Sequence, residues 1–402
     1  MPVDERSSFL GSALILAGTS IGAGMLALPL VAAGVGFILM LTLFFITAFF
    51  AVFSAFLTYE ANLIVEPGCN LYTMATRTLG KAGRVLSIVA PLGLFYALLA
   101  AYLSGGGTLF SQYFATTFPN LTPQLSIVLC AFLTAIFVYA STKVVDHLNR
   151  VLFLLMIVFF LISLVVLLPE VSYERIIYTA KVDSLPLIAA VPIVFTSFGY
   201  HGSIPSIILY QENKFKYIPL IFIIATLIPL LVYLLWLVAV MGSIPESQLL
   251  EISRTSGATA SLIETLGGTQ KGWFTLNTHL HLFSDFALLT SVLGVALGLF
   301  DYLASLMHQS NDRIGRAQSA CVTFIPPVMI AIIYPDGFVA ALGYAAIALS
   351  ILALLLPSAI VYVLRKRKQQ IKSFRTPGGN GIIFSCAIFG IIVIIAQLIT
   401  VI

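Results

Sequence analysis

The sequence predicts an all-α polytopic membrane protein of eleven transmembrane helices, the first and the sixth of them broken. Three observations agree on this. Apolar residues fill 60% of the 402 positions, charged residues only 9%, and the mean hydropathy is +1.06, whereas a soluble domain carries about 25% charge. Eleven apolar stretches approach the ~20 residues that cross a bilayer. Two of them are interrupted by glycine clusters, Gly18 to Gly24 and Phe198 to Ser203, for which a continuous membrane helix has no use.

The stretches run Phe9 to Phe37, Ile38 to Ile64, Val85 to Phe110, Leu125 to Ala140, Val151 to Leu168, Leu185 to Tyr210, Ile218 to Met241, Leu280 to Met307, Ala317 to Tyr334, Phe338 to Leu364 and Ile382 to Ile402. The first two are nearly continuous and divide at Gly34-Val35-Gly36-Phe37. Ahead of them, Asp4 and Glu5 stand beside Arg6, and the apolar run that follows is too long for a signal-peptide core, so it is expected to remain as a membrane anchor. Cys130, Cys321 and Cys386 fall inside spans and Cys69 in a connection, a pattern with neither a disulfide framework nor metal-ligand spacing.

In the first stretch, Gly18-Thr19-Ser20-Ile21-Gly22-Ala23-Gly24 gathers three glycines and two hydroxyls. Glycine is a poor helix former and leaves its backbone uncovered. Inside a bilayer an opened backbone is tolerated only where it faces protein, water, an ion or a ligand. Close packing of another helix is the plainer account of small residues, but it requires no adjacent Thr-Ser pair. The sixth stretch repeats the feature with Phe198-Gly199-Tyr200-His201-Gly202-Ser203 between Pro192 and Pro205. Gly18 and Gly199 are 181 residues apart, close to five spans, so spans one to five and six to ten are expected to be two repeats of opposite orientation with the eleventh added. Paired interruptions in two halves point to a transporter binding site near the bilayer midplane.

Alternate connections differ sharply in Lys and Arg. Sixteen lie on the side of Arg6, Arg77, Lys81, Arg84, Lys143, Arg150, Lys214, Lys216, Arg313, Arg316 and the run from Arg365 to Arg375. Four (Arg175, Lys181, Arg254 and Lys271) lie on the other. Positive connections stay inside, so the amino terminus is expected in the cytoplasm and the carboxyl terminus outside, with Arg365 to Lys368 read as a topology signal. The longest connection, Gly242 to Thr278, then lies outside, and its amphipathic segment Ser247 to Leu266 is a candidate lid. The net charge of +4 is scattered through short connections and forms no nucleic-acid footprint.

The segments Gly18 to Pro29, Phe195 to Ser206 and Gly294 to Leu303 (Gly-Val-Ala-Leu-Gly-Leu-Phe-Asp-Tyr-Leu) resemble the bacterial hydroxy and aromatic amino acid permeases of the amino acid/polyamine/organocation superfamily, nearest to its tyrosine-transporting members. The resemblance covers essentially the whole chain. It implies a single transporter domain over residues 1–402 with the five-plus-five inverted-repeat fold first seen in a bacterial leucine transporter, its repeats being 9–168 and 185–364, and 382–402 an additional helix. It further implies uptake of an aromatic amino acid across the bacterial inner membrane by proton symport. Tyrosine is the first expectation, with tryptophan, a broader aromatic or hydroxy amino acid range, or sodium coupling as alternatives. The expected partners are the amino acid, protons and membrane lipid, and no cofactor is expected.

A zwitterion needs anion donors and cation acceptors a few ångströms apart. A half-helix restarting near Ala23 to Met25 presents N–H groups and a positive dipole end to a carboxylate. Carbonyls near Gly18 and Phe198 can take the ammonium group. The candidate substrate residues are therefore Thr19, Ser20, Gly22, Ala23, Gly24, Phe198, Gly199, His201, Gly202 and Ser203, with Tyr102 (and Tyr96 and Ser104) of the third span toward the ring. For ion or proton coupling the candidates are Asp285, Thr290, Ser291 and Asp301 of the eighth span, with His201 as an alternative. Thr290 and Ser291 resemble a hydroxyl pair that helps bind sodium in coupled relatives. The lysine that some proton-coupled members carry in the fifth span is missing here, where Met156 stands in its place. Glu60, near the inner end of the second span, reads as a capped or paired interface residue. A passive channel would favour a repeated pore-lining helix or a charged ring, which the sequence does not show; an intramembrane hydrolase would favour H-E-x-x-H, which is absent, or G-x-S-x-G, which Gly18 to Gly22 spells only inside an apolar span and not at the strand-to-helix turn that motif needs.

Overall fold

The computed structural model describes residues 3–114, 118, 121–177, 184–211, 217–268, 275–309, 312–368 and 374–401. Lys181, Lys214, Lys216, Lys271 and Lys372, counted in the charge asymmetry, lie outside the described residues. All described elements are helical, and the protein is an all-α polytopic membrane protein. Ten helices are long and apolar enough to cross a membrane, and a bent pair, Phe9–Ser20 and Gly24–Ala32, meets at 56° to form the eleventh span. The sixth span, Ser184–Tyr210, consists of a helix Ser184–Ser197, an opened stretch at Phe198 to Tyr200, one 3-10 turn His201–Ser203 and a short helix Ile204–Tyr210.

Hydropathy places the other spans well but stops short where helices continue into polar sequence. The third helix begins at Leu71, so Arg77, Lys81 and Arg84 lie on helical backbone that bends at Gly80 (φ 68°) before the span. The fifth begins at Thr142, with only Ser141 between it and the end of the fourth at Ala140, and its exposed first turns carry an Asp146–Arg150 pair at 2.8 Å. The tenth, Phe338–Lys366, includes a single π turn at Ile351–Leu355 just ahead of Pro357. Proline cannot donate to the preceding turn and crowds it; π turns of this kind commonly interrupt α-helices at functional positions.

The candidate lid segment is built of two helices. Glu246–Ser253 and Ala258–Gly267 are separated by a turn in which Gly257 adopts a left-handed φ of 69°, a conformation glycine reaches at no steric cost. Asp336, between the ninth and tenth spans, fixes that turn by accepting from Ser256 Oγ (2.7 Å) and Gly257 N (2.9 Å). Leu249 and Ile252 of one lid helix and Leu262 and Ile263 of the other are buried. Both helices rest on the Gly24–Ala32 half of the first span.

Span contacts come in matching sets. The first span packs on the seventh as the sixth packs on the second, and the fifth on the eighth as the tenth packs on the third. The first meets the sixth, the third the eighth and the fourth the ninth.

At the end opposite the lid, Glu60 of the second span and Arg365 of the tenth form a buried bidentate ion pair at 2.8 and 2.7 Å. Glu60 Oε2 also accepts from Thr376 N (2.8 Å), and Arg365 donates to the carbonyl of Gly379 (2.7 Å). Arg365 is thus a structural clamp among the second, tenth and eleventh spans, which corrects its reading as only part of a basic topology signal. Removing one member of a buried pair strands the other and costs about 3–5 kcal/mol, whereas replacing both with apolar groups costs far less. Glu60→Met should therefore lower the thermal midpoint in detergent more than the double change Glu60→Met/Arg365→Met; equal losses would show that the pair carries no such coupling.

Candidate functional site

The two breaks lie against each other, the Gly24–Ala32 half packing on Ser184–Ser197. At the first break, Ile21 N still bonds to Ala17 O (3.0 Å) and Met25 N to Gly22 O (3.1 Å). Between them Ala23 N leaves the helical pattern and donates to Ser291 Oγ of the eighth span (2.9 Å). The N–H groups of Gly22 and Gly24 have no bond among the described residues. Ser20 Oγ is buried without a partner among the described residues, while Thr19 Oγ1 donates to Leu16 O (2.7 Å) within its own helix. A Cβ on Gly22 would lie 2.6 Å from Ser291 Oγ, and one on Gly24 3.5 Å from Ser197 Oγ. Any side chain at position 22 would therefore have to displace Ser291 Oγ and its bond to Ala23 N, before any ligand is considered.

The sixth-span break is folded back on its own turn: Phe198 N bonds to Phe195 O and Gly199 N to Thr196 O, both at 3.1 Å. A Cβ on Gly199 would meet Thr196 O at 3.0 Å and Leu349 of the tenth span at 3.1 Å, whereas one on Gly202 meets open space. Ser203 is partly exposed, and its N–H bonds to Tyr200 O (3.0 Å). His201 is buried, stacked on Tyr200, and its Nε2 lies 2.6 Å from Ser54 Oγ and 3.2 Å from Ala51 O, both on the second span. Its ring therefore faces the second span, and Nδ1 is buried with no partner among the described residues.

The residue that joins the two breaks is one the sequence did not single out. Tyr233, fully buried in the seventh span Ile218–Ser243, points its hydroxyl at the carbonyls of Ser20 (2.7 Å) and Ser197 (2.6 Å). Phe198 packs edge-on against its ring, centroids 5.4 Å apart. No local pattern in the apolar seventh stretch marks this tyrosine, because its role lies entirely in what it reaches across the bundle.

Of the third-span candidates, Tyr102 is buried in the same apolar cluster as Ile21, Ala23, Phe198 and Tyr233. The hydroxyls of Tyr96 and Ser104 bond instead to the backbone of Val322 and Pro335, which makes them scaffold contacts. In the eighth span, Thr290 is buried and donates to Ala287 O (3.0 Å), while Ser291 anchors the first break. Asp285 is partly buried and has no hydrogen-bond or ion-pair partner among the described residues. Asp301 is exposed, in a cleft of about 220 Å³ with Thr142, Gln309 and Arg316. Met156 is buried in the main apolar cluster.

The profile of the tryptophan/tyrosine permease family matches residues 5–397. The chain is 34% identical to tyrosine-specific transport system 1 of Haemophilus influenzae over 96% of its own length and 95% of that protein. It is also 34% identical to the tryptophan-specific transport protein of the same organism, over 98% and 97%. Glutamine transporter 2 of Aliivibrio fischeri is 31% identical over 96% and 98%. These relatives are transport proteins rather than enzymes, and the chain, matched from end to end, belongs to the tryptophan/tyrosine permease family.

Proposed function

We propose that this protein is a secondary active transporter that imports an aromatic amino acid, tyrosine before tryptophan, by proton symport across the bacterial inner membrane. One observation carries the reading: two opened backbones are packed together in the membrane interior of a chain whose end-to-end relatives carry tyrosine or tryptophan. The N–H groups of Gly22 and Gly24 supply donors for a carboxylate, and the positive end of the Gly24–Ala32 half-helix adds to them. Ser20 Oγ adds a hydroxyl, and the carbonyl ends of the two half-helices are acceptors for the ammonium group. Phe198 and Tyr102 offer apolar walls for the ring.

The architecture proposed is two inverted five-span repeats, 9–168 and 185–364, with the last helix added. The matching span contacts support it, since the first-seventh, fifth-eighth, third-ninth and fifth-seventh pairings each recur when five is added to the span number. Alternating access by movement of one bundle against another is the mode such repeats serve. The amino terminus is placed inside and the carboxyl terminus outside by the basic asymmetry of the sequence.

Coupling is assigned to Asp285. Ionisable groups inside a membrane are costly and mark proton or ion pathways, and this carboxyl has no structural partner that would account for it. One charge crossing ~100 mV is worth ~2.3 kcal/mol, roughly fifty-fold accumulation of a zwitterion.

Three outcomes are expected. Vesicles holding the protein should exchange labelled for unlabelled tyrosine, accumulate it without sodium and lose accumulation with a protonophore; Asp285→Asn should keep exchange and lose uphill uptake. Exchange of glutamine in preference to tyrosine and tryptophan would overturn the substrate assignment, and a sodium requirement the ion. Gly22→Ala should cut exchange about tenfold or more, since its Cβ meets Ser291 at 2.6 Å, while Gly202→Ala, facing open space, should change it less than twofold; the reverse order would place the binding cleft elsewhere. In a background lacking the four native cysteines, Thr255→Cys should react with an impermeant maleimide from outside intact cells and Arg313→Cys only after permeabilisation; the opposite pattern would invert the topology.

A further inference from the structure

Two oxygens that can only accept converge on one that has a single proton to give. Ser20 O closes the first half of the first span and Ser197 O the first half of the sixth, and Tyr233 Oη lies 2.7 and 2.6 Å from them. Each carbonyl sits at a helix C-terminus, where the backbone dipole concentrates partial negative charge. Brought to a common point in a buried, low-dielectric interior, the two ends repel unless a donor lies between them. Among the described residues the other polar ties at the breaks are one-sided: Ser291 holds only the first, while Thr226, Ser54, Ala51 and Leu342 hold only the sixth through Tyr200, His201 and Thr196.

We propose that Tyr233 is a positioning residue for transport: its hydroxyl proton, shared between Ser20 O and Ser197 O, pins the two half-helix ends together and thereby sets substrate affinity. The proposal rests on the transporter reading for its kinetic consequence and on geometry alone for the pin. With Tyr233→Phe the ring and its contacts with Phe198 and Phe44 remain, and only the proton is lost. The carbonyl ends then drift apart in the empty site, and the substrate must draw them back. That work appears in KM; once substrate is bound, the arrangement and its turnover are restored. A purely structural fault would instead reduce the number of working molecules, hence Vmax, and leave KM alone.

The test has two arms. In exchange assays with whichever aromatic amino acid the wild type carries, Tyr233→Phe should raise KM about tenfold or more with Vmax held within about twofold. The comparison is Tyr302→Phe, which removes a different span-to-span tyrosine bond, to Ile88 O (3.2 Å), and should move neither. In the second arm, which needs no substrate, Gly24→Cys and Ser197→Cys are paired in a background without native cysteines; the Cβ position at Gly24 is 3.5 Å from Ser197 Oγ, so oxidant should close a disulfide there rapidly, and several-fold more slowly when Tyr233→Phe is added. An unchanged KM or an unchanged rate of disulfide closure overturns the assignment. If the wild type exchanges neither tyrosine nor tryptophan, the substrate reading falls and the rate of disulfide closure alone decides the pin.

Discussion

Backbone polar groups find no water in the hydrocarbon of a bilayer, so a helix that opens there must face protein, a ligand or a water-filled cavity. Both breaks of this protein draw partners from other helices, leaving the N–H groups of Gly22 and Gly24 open among the described residues, and those partners define the bundle. Ser291 of the eighth span takes Ala23 N, Tyr233 of the seventh takes the carbonyls of Ser20 and Ser197, and Tyr200 reaches Thr226 and the carbonyl of Ala51. Removing the breaks would remove the reason for these side chains, and removing the side chains would leave the breaks without support. The candidate site and the packing of the first, sixth, seventh and eighth spans are thus one set of bonds.

A similar economy holds the end away from the lid. A carboxylate and a guanidinium buried at the ends of the second and tenth spans would each be intolerable alone in that setting. Together Glu60 and Arg365 also saturate Thr376 N and Gly379 O, the backbone by which the chain enters the eleventh helix. Packing continues the tie, since Phe389 of that helix stacks on Phe50 and meets Phe195 edge-on. The eleventh helix, which the sequence presents as an appendage, is therefore joined to the sixth span one turn from its break.

What could be read in the sequence was local. Runs of apolar residues locate the spans, and glycine beside hydroxyls locates both interruptions, because these depend on what a short segment cannot do by itself. Glu60 was legible as a paired residue because an isolated carboxylate in a span is untenable. What escaped was anything decided by a partner far along the chain. Tyr233 differs in no local respect from other aromatic residues of apolar helices, and Arg365 looked like its exposed neighbours until Glu60 was placed beside it. Tyr96 and Ser104 had suitable chemistry but were directed to the ninth span and the connection after it. The amphipathic segment Ser247 to Leu266 is legible, but its division at Gly257 depends on Asp336, about eighty residues further along the chain.

The two breaks are held in different ways, and the difference bears on how the site opens. At the first, the obstacle to any side chain on Gly22 is one hydroxyl, Ser291 Oγ, which also accepts from Ala23 N. Exchanging a single hydrogen bond with a ligand or a water is a small change, on the order of 1 kcal/mol. At the sixth, Gly199 is pressed between its own Thr196 carbonyl and Leu349, whose helix enters a π turn two residues later. Parting that contact means moving packed apolar surface, or letting the tenth span move with it. The first break is therefore the one that can change its polar partner in place, whereas displacing the sixth requires displacing the tenth-span surface packed on it. Tyr233, bonded to Ser20 O and Ser197 O, stands between these two differently held backbones.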